Sequence, residues 1–527
     1  VAAGEVTGLS AGQAVIVAST DNGKVGTCTV RVWDPAEDGV TLSQTRLSLT
    51  AGEGAVLTAE SSSGLPLFWV SSDPGIVTVE DGALFGVSEG RAFVMAWANS
   101  GALAVCEVEV TADPELSPFL FTWLSPERCR IDGVKDPLVR TLVLPDRVTE
   151  VARGALSACT ALESLTLPFA GQYADGSGET SGSFLFDGTW PESLRELIFT
   201  GPSVPASAFV DAPFVRVVLT DAESIGNRAF YRCLDLTEVD LPDSLKTLGE
   251  SAFFGCEGLL RVFFGEGLER IGDYTFFECG ELWTLSLPDS IREIGDGAFC
   301  RCAALQEIDL PKGLEQIGAN AFRGCASLAE VDLPDSLTRL GMLAFMDCSA
   351  LERVTVPGEI RDLAAGTFCR AGLKQAILSE GVETVALAAF YDCTALESLT
   401  LPASLTSVAN DAFEDCTSLS AVYISDLAAW EAVAFGNETS DPLYYGAKLY
   451  LNGFPFDCIN LSDTLVSLGT NAFIYNVSMR NVRIPASLKT VGAALPEDLL
   501  GDPARAAEAL TAYADWTFLR KILGEDL

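Results

Sequence analysis

The sequence predicts a mainly β protein in which a long repeat solenoid follows a small β-sandwich. Two observations carry this. A phenylalanine returns every 23 residues through the second half, and short apolar runs punctuated by Gly, Ser, Asp and Pro fill the first 110 residues. The 527 residues carry 33 Lys and Arg against 73 Asp and Glu, a formal net charge of −40, and no histidine. Such acidity argues against nucleic acid, whose phosphates are held by clustered Lys and Arg, and against an anionic membrane surface. The lack of His removes imidazole bases and His-ligated metal sites. No run of about 18 apolar residues is present to span a bilayer.

Residues 1–33 read as the C-terminal part of a β-domain. Alternation through Gln13–Val17 and through Gly26–Val32 flanks Asp21-Asn22-Gly23, a strong hairpin signal. Val1 opens inside this pattern with no basic and apolar leader before it, so the chain is expected to be a fragment whose export signal lies upstream.

Residues 40–111 restart the pattern, with short apolar runs spaced every 8–12 residues as in an all-β sandwich. The wording Phe68-Trp69-Val70-Ser71-Ser72-Asp73-Pro74, then Val77-Thr78-Val79 and Gly86-Val87-Ser88-Glu89-Gly90, resembles the bacterial immunoglobulin-like domain, group 2. The resemblance implies a small immunoglobulin-like β-sandwich acting as a spacer on an exported bacterial protein. Residues 112–137 follow as linker and N-terminal cap, with Phe119, Phe121, Trp123 and Leu124 expected to cover the first coil.

Residues 138–492 hold the repeats. Phe230, Phe253, Phe276, Phe299, Phe322, Phe345 and Phe368 are each 23 apart, Phe390 follows after 22 and Phe413 after 23. Cys sits three residues after most of them, and then comes an L-x-x-[VIL]-x-[LVF] strand often closed by Pro, as in Leu305–Leu310-Pro311. This spacing means a leucine-rich-repeat solenoid of period 23, in which one coil cannot bury its own apolar edge and neighbours share a continuous core. The unit resembles the BspA-like leucine-rich repeats of surface proteins from host-associated bacteria and some protozoa. That resemblance extends to insertions near 169–190 and 426–455, and it implies adhesion to host or bacterial partners. Residues 493–527 read as a C-terminal helical cap opened by Asp502 and Pro503.

The 15 cysteines are expected to be buried thiols, because parallel stacking keeps ladder Cβ atoms about 4.8 Å apart where a disulfide wants about 3.8 Å. There is no C-x₂-C pair, phosphate-binding loop or G-x-S-x-G elbow. No cofactor and no catalytic activity are expected.

In each strand the last two x positions should face solvent. The candidate binding residues are therefore Glu238, Asp240, Arg261, Phe263, Glu307, Asp309, Glu330, Asp332, Arg353, Ile377 and Tyr423. Exposed Phe263, Ile377 and Tyr423 would supply contact area, and the carboxylates Glu307, Asp309, Glu330 and Asp332 a basic partner's site or, more weakly, a cation site. The expected function is a non-catalytic cell-surface or secreted protein whose solenoid binds a protein or other macromolecule. The alternative is a stalk presenting another domain outside this chain.

Overall fold

The computed structural model describes strands 12–19 and 25–32, residues 39–125 and 128–456, and five short strands between 458 and 494. The predicted C-terminal helix lies outside the described residues. The chain divides into two compact units, Val1–Asp136 with Pro145–Ala155, and Pro137–Leu144 with Leu156–Leu527. The architecture is nearly all β. No helix among the described residues is long and apolar enough to cross a membrane.

In the first unit, Gly12–Ser19 and Val25–Val32 pair antiparallel, as the alternation predicts. A sandwich follows. One sheet orders Arg46–Thr50, Leu103–Thr111, Gly90–Ala98 and Leu67–Ser71; the other orders Gly54–Val56, Ala83–Gly86 and Val77–Glu80. Leu49, Val77, Leu84, Val94, Cys106 and Val108 fill the core. Asp81 and Gly82, at φ 47° and 84°, form the two-residue turn between Val77–Glu80 and Ala83–Gly86. A Cβ on Gly82 would sit 2.5 Å from the Leu57 carbonyl, so only Gly fits. The segment expected to act as a cap forms a hairpin: Phe119–Ser125 pairs antiparallel with Arg128–Val134, which pairs parallel with Val148–Val151. Its Trp123 packs edge-on against Phe85 of the sandwich, ring centroids 5.2 Å apart.

In the second unit most regular coils carry one short strand on either side of a buried Phe. From Phe209 to Phe413 consecutive ladder rings stack with centroids 5.1–5.7 Å apart and planes within 20°. The residues two before and two after each Phe adopt positive φ, and most are not Gly: Leu343 (φ 59°) and Asp347 (φ 64°) flank Phe345. A left-handed non-Gly residue costs about 1–2 kcal/mol. The turn offsets it by making Leu343, Phe345 and Asp347 donate their N–H groups to Ala365, Thr367 and Cys369 of the next coil at 2.8–3.0 Å.

The cysteines complete that turn from the other side. Cys325 Sγ donates to the Phe299 carbonyl at 3.2 Å and Cys348 Sγ to that of Phe322 at 3.2 Å; the same contact recurs from Cys233 to Cys416. Burial pushes the ladder thiols well above their ordinary range, that of Cys416 to about 12. They are therefore poor nucleophiles and poor metal ligands. Thiol titration of the native protein should label few of the 15 cysteines, and denaturation should release most. Inter-coil disulfides found by mass spectrometry would contradict this.

The wide face departs from one continuous sheet. Six strands run in parallel from Thr141–Val143 to Arg261–Phe263, two pair at Thr284–Ser286 and Glu307–Asp309, and five parallel strands resume from Arg353–Val356 to Lys448–Leu451. The coil with Glu330 and Asp332 contributes no strand there. Like charges directly opposite on neighbouring strands disfavour pairing, and this coil follows the one with Glu307 and Asp309.

Candidate binding surface on the solenoid

On the wide face the inward residues are the apolar Val239, Val262, Ile308 and Val354, all buried. Outward positions alternate with them, as the period of two requires. The predicted residues therefore share one side of their coils, but the structure brings them together in three groups rather than one.

In the first group Arg216 binds Asp240 at 2.7 Å and lies 3.6 Å from Glu196 and 3.9 Å from Glu238. Glu238 and Asp240 are half-buried and share this one cation of the preceding coil with Glu196. Arg261 and Phe263 on the next strand are exposed. Two large apolar neighbours escape the strand pattern: Leu260 and Trp283 occupy the same position on consecutive coils and are both exposed. Nothing in a leucine-rich motif singles that position out.

In the second group Glu307, Asp309, Glu330 and Asp332 are all exposed. None has an ion-pair partner among the described residues, whereas many solenoid cations are committed elsewhere. Arg301 binds Glu278 at 2.6 Å, Lys374 binds Glu352 at 2.6 Å, and Arg370 holds Asp347 through two contacts at 2.7 and 3.0 Å. The four carboxylates do not converge as a ligand set. Among the described residues no three Asp, Glu or Cys side chains are grouped to hold a metal ion. Alternating outward side chains on a parallel face point side by side, not inward to a common centre.

The third group corrects the expectation of exposed Ile377 and Tyr423. Both are half-buried. Ile377 lies in register between Thr355 and Thr400 on the adjoining strands. Tyr423 leans on Tyr450, ring centroids 4.9 Å apart, because the insertion returns as one more coil beside it. Arg353 remains exposed.

The insertion also holds two carboxyls that the sequence does not single out. Asp426 caps the short helix Leu427–Ala432, accepting the Ala429 N–H at 3.1 Å. The helix buries Trp430 against Phe435 and with it Glu431, which is fully buried with no hydrogen bond to either oxygen. Burial, then the Asp426 charge, pushes Glu431 up to about 7. Asp441 is buried as well; it accepts the Leu443 N–H at 2.8 Å, its other oxygen has no partner, and burial pushes it up to about 8. Residue type alone does not report burial in an irregular segment.

The model of the BspA type leucine rich repeat region matches residues 223–352, 315–441 and 446–495, together more than half of the chain. The chain belongs to this family. Its matched span contains most of the Phe and Cys ladders and nearly all the candidate surface. No curated protein matches the chain. Among solved structures it is similar to a leucine-rich repeat protein from Bacteroides ovatus, at 20% identity and TM-score 0.46 over 71% of this chain and 89% of that one. A leucine rich cell surface protein from Faecalibacterium prausnitzii is 20% identical, TM-score 0.33, covering 61% and 96%. The pneumococcal vaccine antigen PcpA is 17% identical, TM-score 0.35, covering 72% and 86%.

Proposed function

We propose that this protein is a non-catalytic scaffold of a bacterial cell surface or of the secreted fraction, and that its solenoid binds a basic protein partner. The observation that carries this reading is the group Glu307, Asp309, Glu330 and Asp332, exposed and without ion-pair partners on consecutive coils. Exposed Phe263 and Trp283 lie on the preceding coils of the same array. Opposite potentials steer encounter and aromatic side chains supply contact area, so a partner presenting Lys, Arg and apolar groups fits this surface. Membership of the BspA type family supports a surface location, and the sandwich resembles a bacterial immunoglobulin-like spacer that would hold the solenoid away from its anchor. Adhesion to a host or bacterial protein is the role these features favour.

The test is binding of the whole chain to immobilised basic proteins, with neutral and acidic proteins alongside. The basic set should bind, and affinity should fall about tenfold between roughly 50 and 300 mM salt, as screening of exposed charge requires. A variant with Glu307→Gln, Asp309→Asn, Glu330→Gln and Asp332→Asn should fold normally, because these groups are solvated, and bind about tenfold more weakly at low salt. Equal binding by that variant would reduce the acidic face to a solubility device. The Gly/Ser loop near Asp175 or the 430–445 insertion would then be the place to look.

A further inference from the structure

The four-stranded sheet of the sandwich is apolar on both sides. Along Gly90–Ala98, Ala92, Val94, Ala96 and Ala98 are buried in the core, while Phe93, Met95 and Trp97 point the other way. Register extends this outer face sideways. Phe68 and Val70 lie opposite Trp97 and Met95 on one neighbouring strand, and Leu103 and Val105 lie opposite the same two on the other. The Phe68 and Trp97 rings meet at 4.9 Å.

Apart from Met95, which is half-buried at the centre, these residues are 40% to 54% exposed. Aromatic side chains carry about 150–250 Å² each, so the patch presents roughly 500 Å², at the upper end of what monomers leave uncovered. An outer sheet face is ordinarily polar; this one has the composition of an inner face without its covering sheet.

Charge around the patch narrows what covers it. Beyond the apolar end, Arg46 binds Glu107 at 3.2 Å, and Arg91 binds Glu109 at 2.9 Å and lies 3.9 Å from Glu107. Two guanidinium groups thus balance two carboxylates, and this face is locally neutral in a chain of net charge −40. A basic partner is drawn to the solenoid's unpaired carboxylates, not here. The complement of a flat, neutral, inner-type sheet face is another of the same kind, packed about 10 Å away as in a sandwich.

We propose that two copies of this chain associate through the outer face of this sheet, each covering the other's Phe93, Trp97 and Leu103 about a two-fold axis. Two such patches bury about 1,000 Å² before the rim contributes, the lower edge of specific interfaces. The dimer is therefore weak and concentration-dependent. It is independent of the solenoid's binding and opposite to it in salt response, because added salt screens the repulsion between two acidic chains while leaving apolar burial intact.

Sedimentation equilibrium of the whole chain tests this between about 1 and 100 μM, at low and at high salt. The mass should rise from the single-chain 55.8 kDa toward twice that value, and more readily at high salt. A Phe93→Thr, Trp97→Thr variant keeps strand propensity and the buried side of its strand, and it should remain a single chain throughout. If it folds poorly by circular dichroism, Leu103→Thr with Val105→Thr serves in its place. The proposal is overturned if the unaltered chain stays single up to 100 μM at high salt, if the folded variants associate equally well, or if association weakens as salt rises.

Discussion

Replacing Phe299 by Ala is expected to destabilise the solenoid by about 3–5 kcal/mol. The ring is fully buried and stacks on both sides, 5.5 Å from Phe276 and 5.5 Å from Phe322. Removal forfeits its own transfer energy and the dispersion contacts of both neighbours, and the parallel coils cannot close a gap at one level without tilting the rest. A repeat array is held by nearest-neighbour interfaces, so a weak level in the middle also divides its cooperativity. Urea unfolding should show a lower midpoint and a broader or split transition. Phe299→Leu, which keeps most of the volume, should cost under about 1.5 kcal/mol. A shift below about 1 kcal/mol for the Ala variant would mean that the stacked ring is not what holds the middle of the array.

The second large effect is expected from pH, and it should be confined to the insertion. Glu431 and Asp441 are raised by burial to about 7 and about 8. Both therefore bind protons more tightly folded than unfolded, where carboxyls titrate near 4. Their contribution is complete below about pH 4 and is lost as pH rises through 7 and 8. At 1.36 kcal/mol per unit, ionisation costs about 3 kcal/mol at Glu431 and about 6 kcal/mol at Asp441. Hydrogen exchange, corrected for its intrinsic pH dependence, should show amides of residues 427–451 losing protection from pH 5 to pH 9 while the coils around Phe299 keep theirs. Glu431→Gln and Asp441→Asn, the latter retaining an acceptor for the Leu443 N–H, should flatten the response. Equal protection at both pH values would refute it.

The regular parts of the fold are legible in the sequence because their physics repeats. The 23-residue return of Phe and Cys can be satisfied only if coils stack in register, and the ladder from Phe230 to Phe413 does so. The alternation that turns Val239 and Ile308 inward equally turns Glu238 and Glu307 outward. What alternation cannot supply is the occupant above an outward residue. Tyr423 is half-buried because Tyr450 returns from an irregular insertion, and no period announces that contact. Apolar runs mislead in another way. An apolar run such as Phe93–Trp97 does not say how many of its faces are covered: only every second residue reaches the core, and the remaining apolar residues form the uncovered face. Glu431 and Asp441 carry no pattern either, because their burial follows from how the segment folds back.

The hydrogen bonds of the turn give every regular coil the same terminals. Each offers N–H donors forward, as Leu343, Phe345 and Asp347 do, and a thiol donor backward, as Cys348 does to Phe322. A coil removed or duplicated whole leaves its neighbours facing the partners they already had. A change of chain length by whole coils of 22 or 23 residues therefore keeps the turn hydrogen bonds at the new junction. Each coil gained or lost then changes stability by its own contribution and one neighbour interface, while every coil stays under the same constraint.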